Sequence, residues 1–567
     1  MPASSGRNIL GISCHYHDAA ACLLQDGEIA AAAQEERFSR IKNDPAFPIR
    51  AINYCLQARG LSTLDIDHIV FYEKPYLKFS RVILSHMRAY PASLASFLEA
   101  MPAWLDERLA LPLKFKEELS FEGTPFFIKH HLSHAASAFL VSPFEEAAIL
   151  TADGVGEWAT TACGMGKGRG IRMLKELRFP DSLGLLYTAV TTYLGFEALR
   201  GEGKVMGLAS YGKPAYLDKF RRLAAVKPDG SFRMDPAYFA FHKDSRMYSR
   251  RFVEEFGPER APGTELTERH HDIAASLQAF TEEVLVAMAR RLHEETRADN
   301  LCLAGGVFLN CVANSAVFEK TPFREVFIQP CAGDGGGALG AAAYVWHSVL
   351  GKQRTRSLEH AYLGPAYSSK EAERAVLASG LSFKRLSAPE LARQVAGRLS
   401  QGEIVGWFQG RMEFGPRALG GRSILADPRK PDMKDLLNAK VKKRESFRPY
   451  APAVLEERAA DYFEAKGFSP FMLLAARVRA EKRAVIPAVT HVDGTARVQT
   501  VSAKANPAFR RLIEEFDKLT GVPMLLNTSF NLSDEPIVCS PRDALDSFQR
   551  SRMDCLVLED LVVDRPV

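Results

Sequence analysis

The sequence predicts an α/β protein of two domains, the first built on an internal duplication. Three observations predict it. Strand-like apolar runs alternate with amphipathic helical stretches along most of the 567 residues. Two hairpin units of similar layout stand more than a hundred residues apart, at Asn8–Ala33 and Ala147–Leu177. The pattern then loosens between Gly351 and Ser369, and a second α/β series begins.

The first unit reads as an apolar strand over Asn8–Ser13, a polar loop over His15–Asp18 and a strand over Ala19–Leu24. The turn dipeptide Asp26–Gly27 and a returning strand over Glu28–Ala33 follow. The second repeats this with a strand at Ala147–Thr151, a polar glycine-bearing loop at Asp153–Glu157, and strands at Ala159–Gly164 and Ile171–Leu177. This suggests duplication, although hairpins are common enough to recur without one. Helical patterns cover Pro48–Arg59, Leu132–Leu140 and the long Asp272–Arg297, where Leu277, Phe280, Val284, Met288 and Leu292 keep helical spacing. Leu301–Ala304 and Val326–Ile328 read as strands, Asn310–Glu319 and Gly340–Leu350 as helices. Pro75–Leu119 reads as a helical insertion. Beyond the boundary, Ser368 or Ser369 can cap a helix running to Leu377. Ile404–Phe408, Ala451–Leu455, Phe471–Ala475 and Leu525–Leu526 supply apolar strand segments.

Composition sets broad limits. Hydrophobic residues make up 47% and charged residues 25%, the balance of a globular protein. The net charge of +5 is too small and too mixed to argue for nucleic acid or an anionic membrane. The longest uncharged stretch, Asn300–Phe318, holds Gly305, Gly306, Asn310 and Asn314 and reads as a strand and loop, not a span. No signal-type apolar segment opens the chain, and the nine cysteines form no C-x-x-C pair, so a cytoplasmic location is expected.

Three motifs carry chemistry. His130 and His134 are four apart, a spacing that puts two imidazoles on one helix face as a two-point metal site, or as two satisfied histidines at a helix start. His131 occupies the position where a zinc protease has its glutamate base. Asp153 and Asp334 are candidate carboxylates to complete the set, and such a mixture suits iron, manganese or zinc. Gly305–Gly306 and Gly333–Gly340 each follow a strand and open a helix. They read as two phosphate-gripping loops, or as tight turns packed closely for structural reasons. The run Arg411–Arg422 carries three arginines in a Gly-Pro loop. Lys440–Arg444, Arg448, Arg497 and Asn527–Asn531 follow, a set ready for a phosphate-rich ligand or a solvated basic face.

These residues, together with Gly11–Ala21, Glu35–Arg40, Gly203–Ala209, Phe414–Ile424, Asn438–Pro452 and Leu526–Val538, carry a resemblance spanning nearly the whole chain. The sequence resembles the NodU/TobZ/CmcH family of O-carbamoyltransferases. The resemblance implies a TsaD-like domain of duplicated actin-like (ASKHA) fold over residues 1–355 and a YrdC-like α/β domain over 365–567. It implies that the second domain makes carbamoyl-adenylate from carbamoyl phosphate and ATP, releasing diphosphate. The first then transfers the carbamoyl group to a hydroxyl of a natural product or sugar-type acceptor and releases AMP. It implies a divalent metal, Fe2+ in type with zinc or manganese as alternatives, on His130, His134, Asp153 and Asp334, and Mg2+ with ATP. Lys204, Gly207, Gly305, Gly306, Asn310 and Gly335 are expected to bind nucleotide. Arg417, Arg422, Lys443, Arg448, Arg497, Asn527, Ser529 and Asn531 are expected to bind ATP and carbamoyl phosphate, with Arg417 and Lys443 also catalytic. His17, paired with Asp18, is the candidate base, or a structural histidine in a tight loop; His15 is a weaker competitor. The expected partners are ATP, carbamoyl phosphate and a small hydroxyl acceptor, with no nucleic acid and no membrane, as a monomer or homodimer. Two other readings are a tRNA threonylcarbamoyl-type modifier and an actin-like nucleotide-binding protein without transferase activity.

Overall fold

A computed structural model describes residues 7–240, 246–354, 356–464 and 466–565. The chain forms two compact units, Met1–Ala32 with Pro45–Leu358, and Ala33–Asp44 with Glu359–Val567. The sequence reading gave the short segment 33–44 to the first domain; here it packs with the second.

The first unit holds two five-stranded sheets. In space the first runs Glu28–Gln34, Ala20–Gln25, Asn8–Ser13, His68–Phe71 and Phe126–Phe127, and the second Gly170–Arg178, Ala159–Lys167, Glu146–Ala152, Asn300–Ala304 and Glu325–Ile328. Numbered within each half, both read 3-2-1-4-5. In both, strand 1 is antiparallel to strand 2 and parallel to strand 4, and strand 4 is parallel to strand 5. One order and one set of directions used twice is the duplicated actin-like arrangement. The central strands are buried along their length, as Asn8–Ser13 is, and their sequences are accordingly apolar throughout rather than alternating.

The duplication pairs the elements that matter for chemistry. Each half sends a polar loop from strand 1 to strand 2: residues 14–19 in the first, 153–158 in the second. Each starts a helix soon after strand 5: His130–Phe139 in the first, Asp334–Tyr344 in the second. The two helices pack against each other, and Asp334–Tyr344 also lies on the first strand. Their approach is close because Gly340 faces the Ser133 carbonyl; a Cβ there would lie 1.9 Å from that oxygen. The run Gly335–Gly340 is therefore helix, not loop, in this fold. Close packing overrides the poor helix propensity of glycine.

The second unit is an eight-stranded mixed sheet, consistent with a YrdC-like domain. Its order is Lys384–Arg385, Leu561–Asp564, Cys555–Leu558, Val405–Phe408, Arg422–Ala426, Met524–Ser529, Ala451–Leu455 and Gln499–Val501. Helices Ala388–Gln401 and Pro507–Thr520 pack together, and their buried Leu399, Phe509 and Phe516 join the core beside Trp407 and Leu525. Ser368 caps helix Ser369–Ala378 by accepting from Glu371 N, and the Glu371 side chain returns the bond. The segment expected as a strand at Phe471–Ala475 is instead paired at Ala475–Val478. No helix of the described residues is long and apolar enough to cross a membrane.

Candidate active site

The two duplicated helix starts and one of the two polar loops bring four donors together. His130 and His134 come from the first helix, Asp334 from the first residue of the second, and Asp153 from the loop after strand Glu146–Ala152. All four residues are buried. The two Nε2 atoms lie 3.1 Å apart, and Asp153 Oδ2 is 2.9 Å from that of His134 and 3.3 Å from that of His130. Asp334 Oδ1 is 3.6 Å from both. Donors each about 2.0–2.2 Å from one ion sit about 2.8–3.6 Å from one another, so this spacing is that of a coordination shell. Two facing imidazole nitrogens can share only one proton between them, and Asp334 Oδ1 is buried with no hydrogen-bond partner among the described residues. The residues fit a divalent metal.

The surroundings hold the ligands in place. Glu157 accepts from the backbone N–H groups of Lys74 and His130, fixing the helix start. Tyr72 donates to Asp334 Oδ2 at 3.3 Å. Glu73 lies 3.7 Å from His130 Nδ1 and accepts from Lys78 at 2.6 Å. Burial raises the Glu73 pKa, but Lys78 and His130 outweigh it and hold it down at about 2. Burial disfavours a charged His130, yet Asp334 and the bonds to Asp153 and Glu73 push it up to about 10. Asp153 thus meets both imidazoles at hydrogen-bond distance, and Asp334 faces them at 3.6 Å. His131 belongs to a different environment. Burial and the neighbouring His130 hold it well below the ordinary histidine value, with its ring between Thr151 Oγ1 at 2.8 Å and the Ala159 carbonyl at 3.0 Å.

The other polar loop borders the same cluster. His17 Nδ1 lies 3.0 Å from Asp18 Oδ2, and its Nε2 faces Asp334 Oδ2 at 3.8 Å. Burial opposes its protonation, but Asp334 and Asp18 push its pKa up to about 9. His15 points elsewhere, 3.6 Å from Glu107, and burial with Lys114 and Arg108 lowers it to about 4. Gly305 holds φ at +103°, with the Ala152 carbonyl where a Cβ would be, and a Cβ on Gly306 would meet Asp153 Oδ1 at 3.0 Å. This glycine turn therefore sits against Asp153 of the His/Asp cluster. Gly335 lies in the first turn of the Asp334 helix. Asn310 caps helix Cys311–Glu319 through Ala313 N and exchanges hydrogen bonds with Gln278, so its side chain is committed to the fold. Lys204, half-buried over the Phe196 ring, and buried Gly207 lie on helix Glu202–Ala209.

In the second unit the basic residues divide. Arg422 is fully buried, donates to the carbonyls of Gln409, Gly410, Gly421 and Pro365, and stacks on Phe408 at 3.5 Å. Its guanidinium is used by the fold. Glu413 accepts from the N–H groups of Leu419 and Gly421 and so shapes the loop that presents half-buried Arg417. Lys443 is exposed, while Lys442 is buried and donates to Asn531 Oδ1 at 2.8 Å, to Asn531 O at 3.1 Å and to Ser529 O. Burial lowers Lys442 well below the ordinary lysine value, and Arg444, Arg448 and Lys42 lower it further. Burial, with Arg444 and then Arg497 adding to it, likewise lowers Arg448 to about 10. Lys42, Lys442, Arg444, Arg448 and Arg497 thus form a linked set of opposing cations, of which Lys442 reaches Ser529 and Asn531. Asn527, two residues before Ser529 on the same strand face, donates to Gln499 and leaves its Oδ1 buried without a partner among the described residues. Sequence reasoning missed Lys42 and Lys442. The basic run 440–444 marked the place, but only burial picks the residue, and Lys42 belongs to the stretch assigned to the other domain.

Comparison with known proteins follows this geometry. Residues 8–343 match the family model described as carbamoyltransferase N-terminus, and residues 396–565 that described as carbamoyltransferase C-terminus. The chain belongs to the carbamoyltransferase family. It is an enzyme of carbamoyl transfer. Among the relatives of this carbamoyltransferase are uncharacterized protein sll1178 of Synechocystis, 47% identical over 98% of this chain and 96% of that protein. Nodulation protein NolNO of Sinorhizobium fredii is 40% identical over 97% of this chain and 79% of its own length. Nodulation protein U of Rhizobium tropici is 32% identical over 91% and 89%.

Proposed function

We propose that this carbamoyltransferase is an ATP-dependent O-carbamoyltransferase that works in two steps, activation in the second unit and transfer in the first. The observation that supports the proposal is the mutually repelling cation set of buried Lys442 with half-buried Lys42, Arg444, Arg448 and Arg497. Such a set is costly alone and favourable around polyanions, which is what ATP and carbamoyl phosphate are. For the atoms to balance, carbamoyl phosphate gives its phosphate to water and leaves carbamate. A carbamate oxygen then attacks the α-phosphorus of ATP, forming carbamoyl-adenylate and releasing diphosphate. In this reading Arg417, Arg448 and Arg497 bind phosphate oxygens, and Lys442 holds Ser529 and Asn531 in place. Asn527 Oδ1 accepts from the carbamoyl NH2, and Mg2+ accompanies ATP.

In the first unit, Gly306 and Gly335 offer backbone N–H groups to the adenylate phosphate, while the Gly305 N–H is held by the Ala332 carbonyl at 2.7 Å. A metal on His130, His134, Asp153 and Asp334 would supply Lewis-acid polarisation of the carbamoyl oxygen; the nitrogen and carboxylate donors suit iron, manganese or zinc. His17 is oriented by Asp18 through Nδ1; with the Asp334 charge that raises its pKa offset by a bound cation, Nε2 would be free to receive the proton of the acceptor hydroxyl. The acceptor oxygen bonds to the carbamoyl carbon, and the bond from that carbon to the AMP oxygen breaks, AMP leaving with the electron pair. The acceptor is a small molecule bearing a hydroxyl. The test is to supply ATP, Mg2+ and carbamoyl phosphate and to measure diphosphate, with AMP measured once a hydroxyl acceptor is added. Formation of ADP, or of AMP without dependence on carbamoyl phosphate, contradicts the reading.

A further inference from the structure

Helix Pro75–Arg88 is inside out. Its buried side chains are Pro75, Lys78 and Arg81, one turn apart along one face, while Tyr76, Leu77, Leu84 and Met87 are exposed. A surface helix ordinarily buries its apolar stripe. Here the inward stripe is cationic, and what it faces explains half of it. Lys78 donates to Glu73 and lies 4.8 Å over the ring of Tyr16, in the same loop as His17 and Asp18. Glu73 in turn stands 3.7 Å from His130 Nδ1.

Arg81, the next residue on that face, is not explained in this way. It is 9% exposed and its guanidinium lies 5.2 Å over the Phe179 ring. Its Nε is buried with no hydrogen-bond partner among the described residues, and none of their carboxylates pairs with it. The charges that reach it are already engaged. Glu73 is taken by Lys78, and Glu157 by the N–H groups of Lys74 and His130. A guanidinium this buried, with its Nε unpartnered, gains from a ligand that supplies oxygens. The fork geometry and weak hydration of arginine suit a carboxylate or phosphate. Tyr16, which is 37% exposed and lies under Lys78 of that helix face, brings solvent to the side of the His17 loop.

We infer that Arg81 is a substrate-binding residue that grips an oxyanion carried by the acceptor, beside the hydroxyl to be carbamoylated. This rests on the two-step reading above and deepens it, assigning an anionic group to the acceptor. The same chemistry could come from the phosphate of the nucleotide, so the test separates the two sources.

The experiment measures binding of glucose, glucuronate and AMP to the full-length protein and to its Arg81→Gln and Arg81→Lys variants. The wild type is expected to bind glucuronate at least tenfold more tightly than glucose. Arg81→Gln is expected to lose that preference, Arg81→Lys to keep part of it, and AMP binding to stay within twofold. Thermal midpoints are expected to hold or rise in Arg81→Gln, because an uncompensated buried charge is removed. A wild type without preference for glucuronate, or a preference retained in Arg81→Gln, overturns the proposal. So does an AMP affinity that falls tenfold while glucuronate is untouched, which assigns Arg81 to the nucleotide. Carbamoyl-phosphate-dependent exchange of diphosphate into ATP is followed in parallel. Its absence from the wild type refutes the two-step reading, whereas its presence with no Arg81 effect on binding refutes this inference alone.

Discussion

Replacing Gly340 with alanine tests how tightly the metal site depends on helix packing. The added Cβ lies 1.9 Å from Ser133 O and 2.7 Å from Ser137 N, both backbone atoms that cannot swing away. To reach the roughly 3.0 Å that a Cβ tolerates, the helices must part by about 1.1 Å. Gly340 shares its helix with Asp334, and Ser133 lies between His130 and His134 on the other. The displacement thus falls directly on the donor set. Metal–ligand distances tolerate about 0.2 Å, so a shift several times larger removes at least one ligand. Overpacking costs about 1–3 kcal/mol, with a backbone clash at the upper end. At about 2.1 cal/mol/K per residue, a unit of roughly 350 residues shifts by about 1.4 °C per kcal/mol, so the midpoint falls by about 4 °C. Calorimetry of the full-length protein gives the midpoint, and elemental analysis gives bound metal per chain. An alanine variant that keeps both its midpoint and its metal refutes the claim that this helix contact sets the site.

Other expectations follow from the same structure. Asp334→Ala is expected to abolish carbamoyl transfer and the AMP it releases, while leaving carbamoyl-phosphate-dependent exchange of diphosphate into ATP within about threefold, since the residue belongs to the first unit only; equal loss of both contradicts the division of labour. Lys442→Met is expected to cut adenylate formation by about a hundredfold or more, the cost of losing one preorganised donor, without lowering the thermal midpoint at pH 7. The folded pKa of Lys442 lies well below the ordinary 10.5, so between those two values the unfolded chain binds the extra proton. Stability contributed by this group therefore rises with pH through that window, and Lys442→Met is expected to flatten that slope in denaturant titrations. Gly397→Ala, inside helix Ala388–Gln401 with nothing within 4 Å of the new Cβ, is expected to stabilise the second unit by about 0.5–1 kcal/mol; a loss of stability there refutes the claim of open space.

Much of the first unit was legible because its signals are local. Two hairpins with a polar loop apiece announced the duplication, and the equal strand orders of the two sheets bear it out. The His130–His134 spacing named two ligands, and the loop positions of Asp153 and Asp334 named the rest of the cluster. What the sequence hid depends on contacts between distant segments. Gly335–Gly340 look like a phosphate loop because the Ser133 carbonyl that demands a small neighbour lies about two hundred residues away. Lys442 and Lys443 are indistinguishable as letters, and only the turn of the backbone at Lys443, where φ is +44°, sends one inward and the other to solvent. The inverted helix Pro75–Arg88 reads as an ordinary basic surface helix until its buried face is seen.

The most direct measurement of the central claim is exchange of labelled diphosphate into ATP by the full-length protein with Mg2+ and no acceptor. The account predicts exchange that appears only when carbamoyl phosphate is added and that disappears in Lys442→Met. Exchange of equal rate without carbamoyl phosphate, or none with it, contradicts adenylate formation in the second unit.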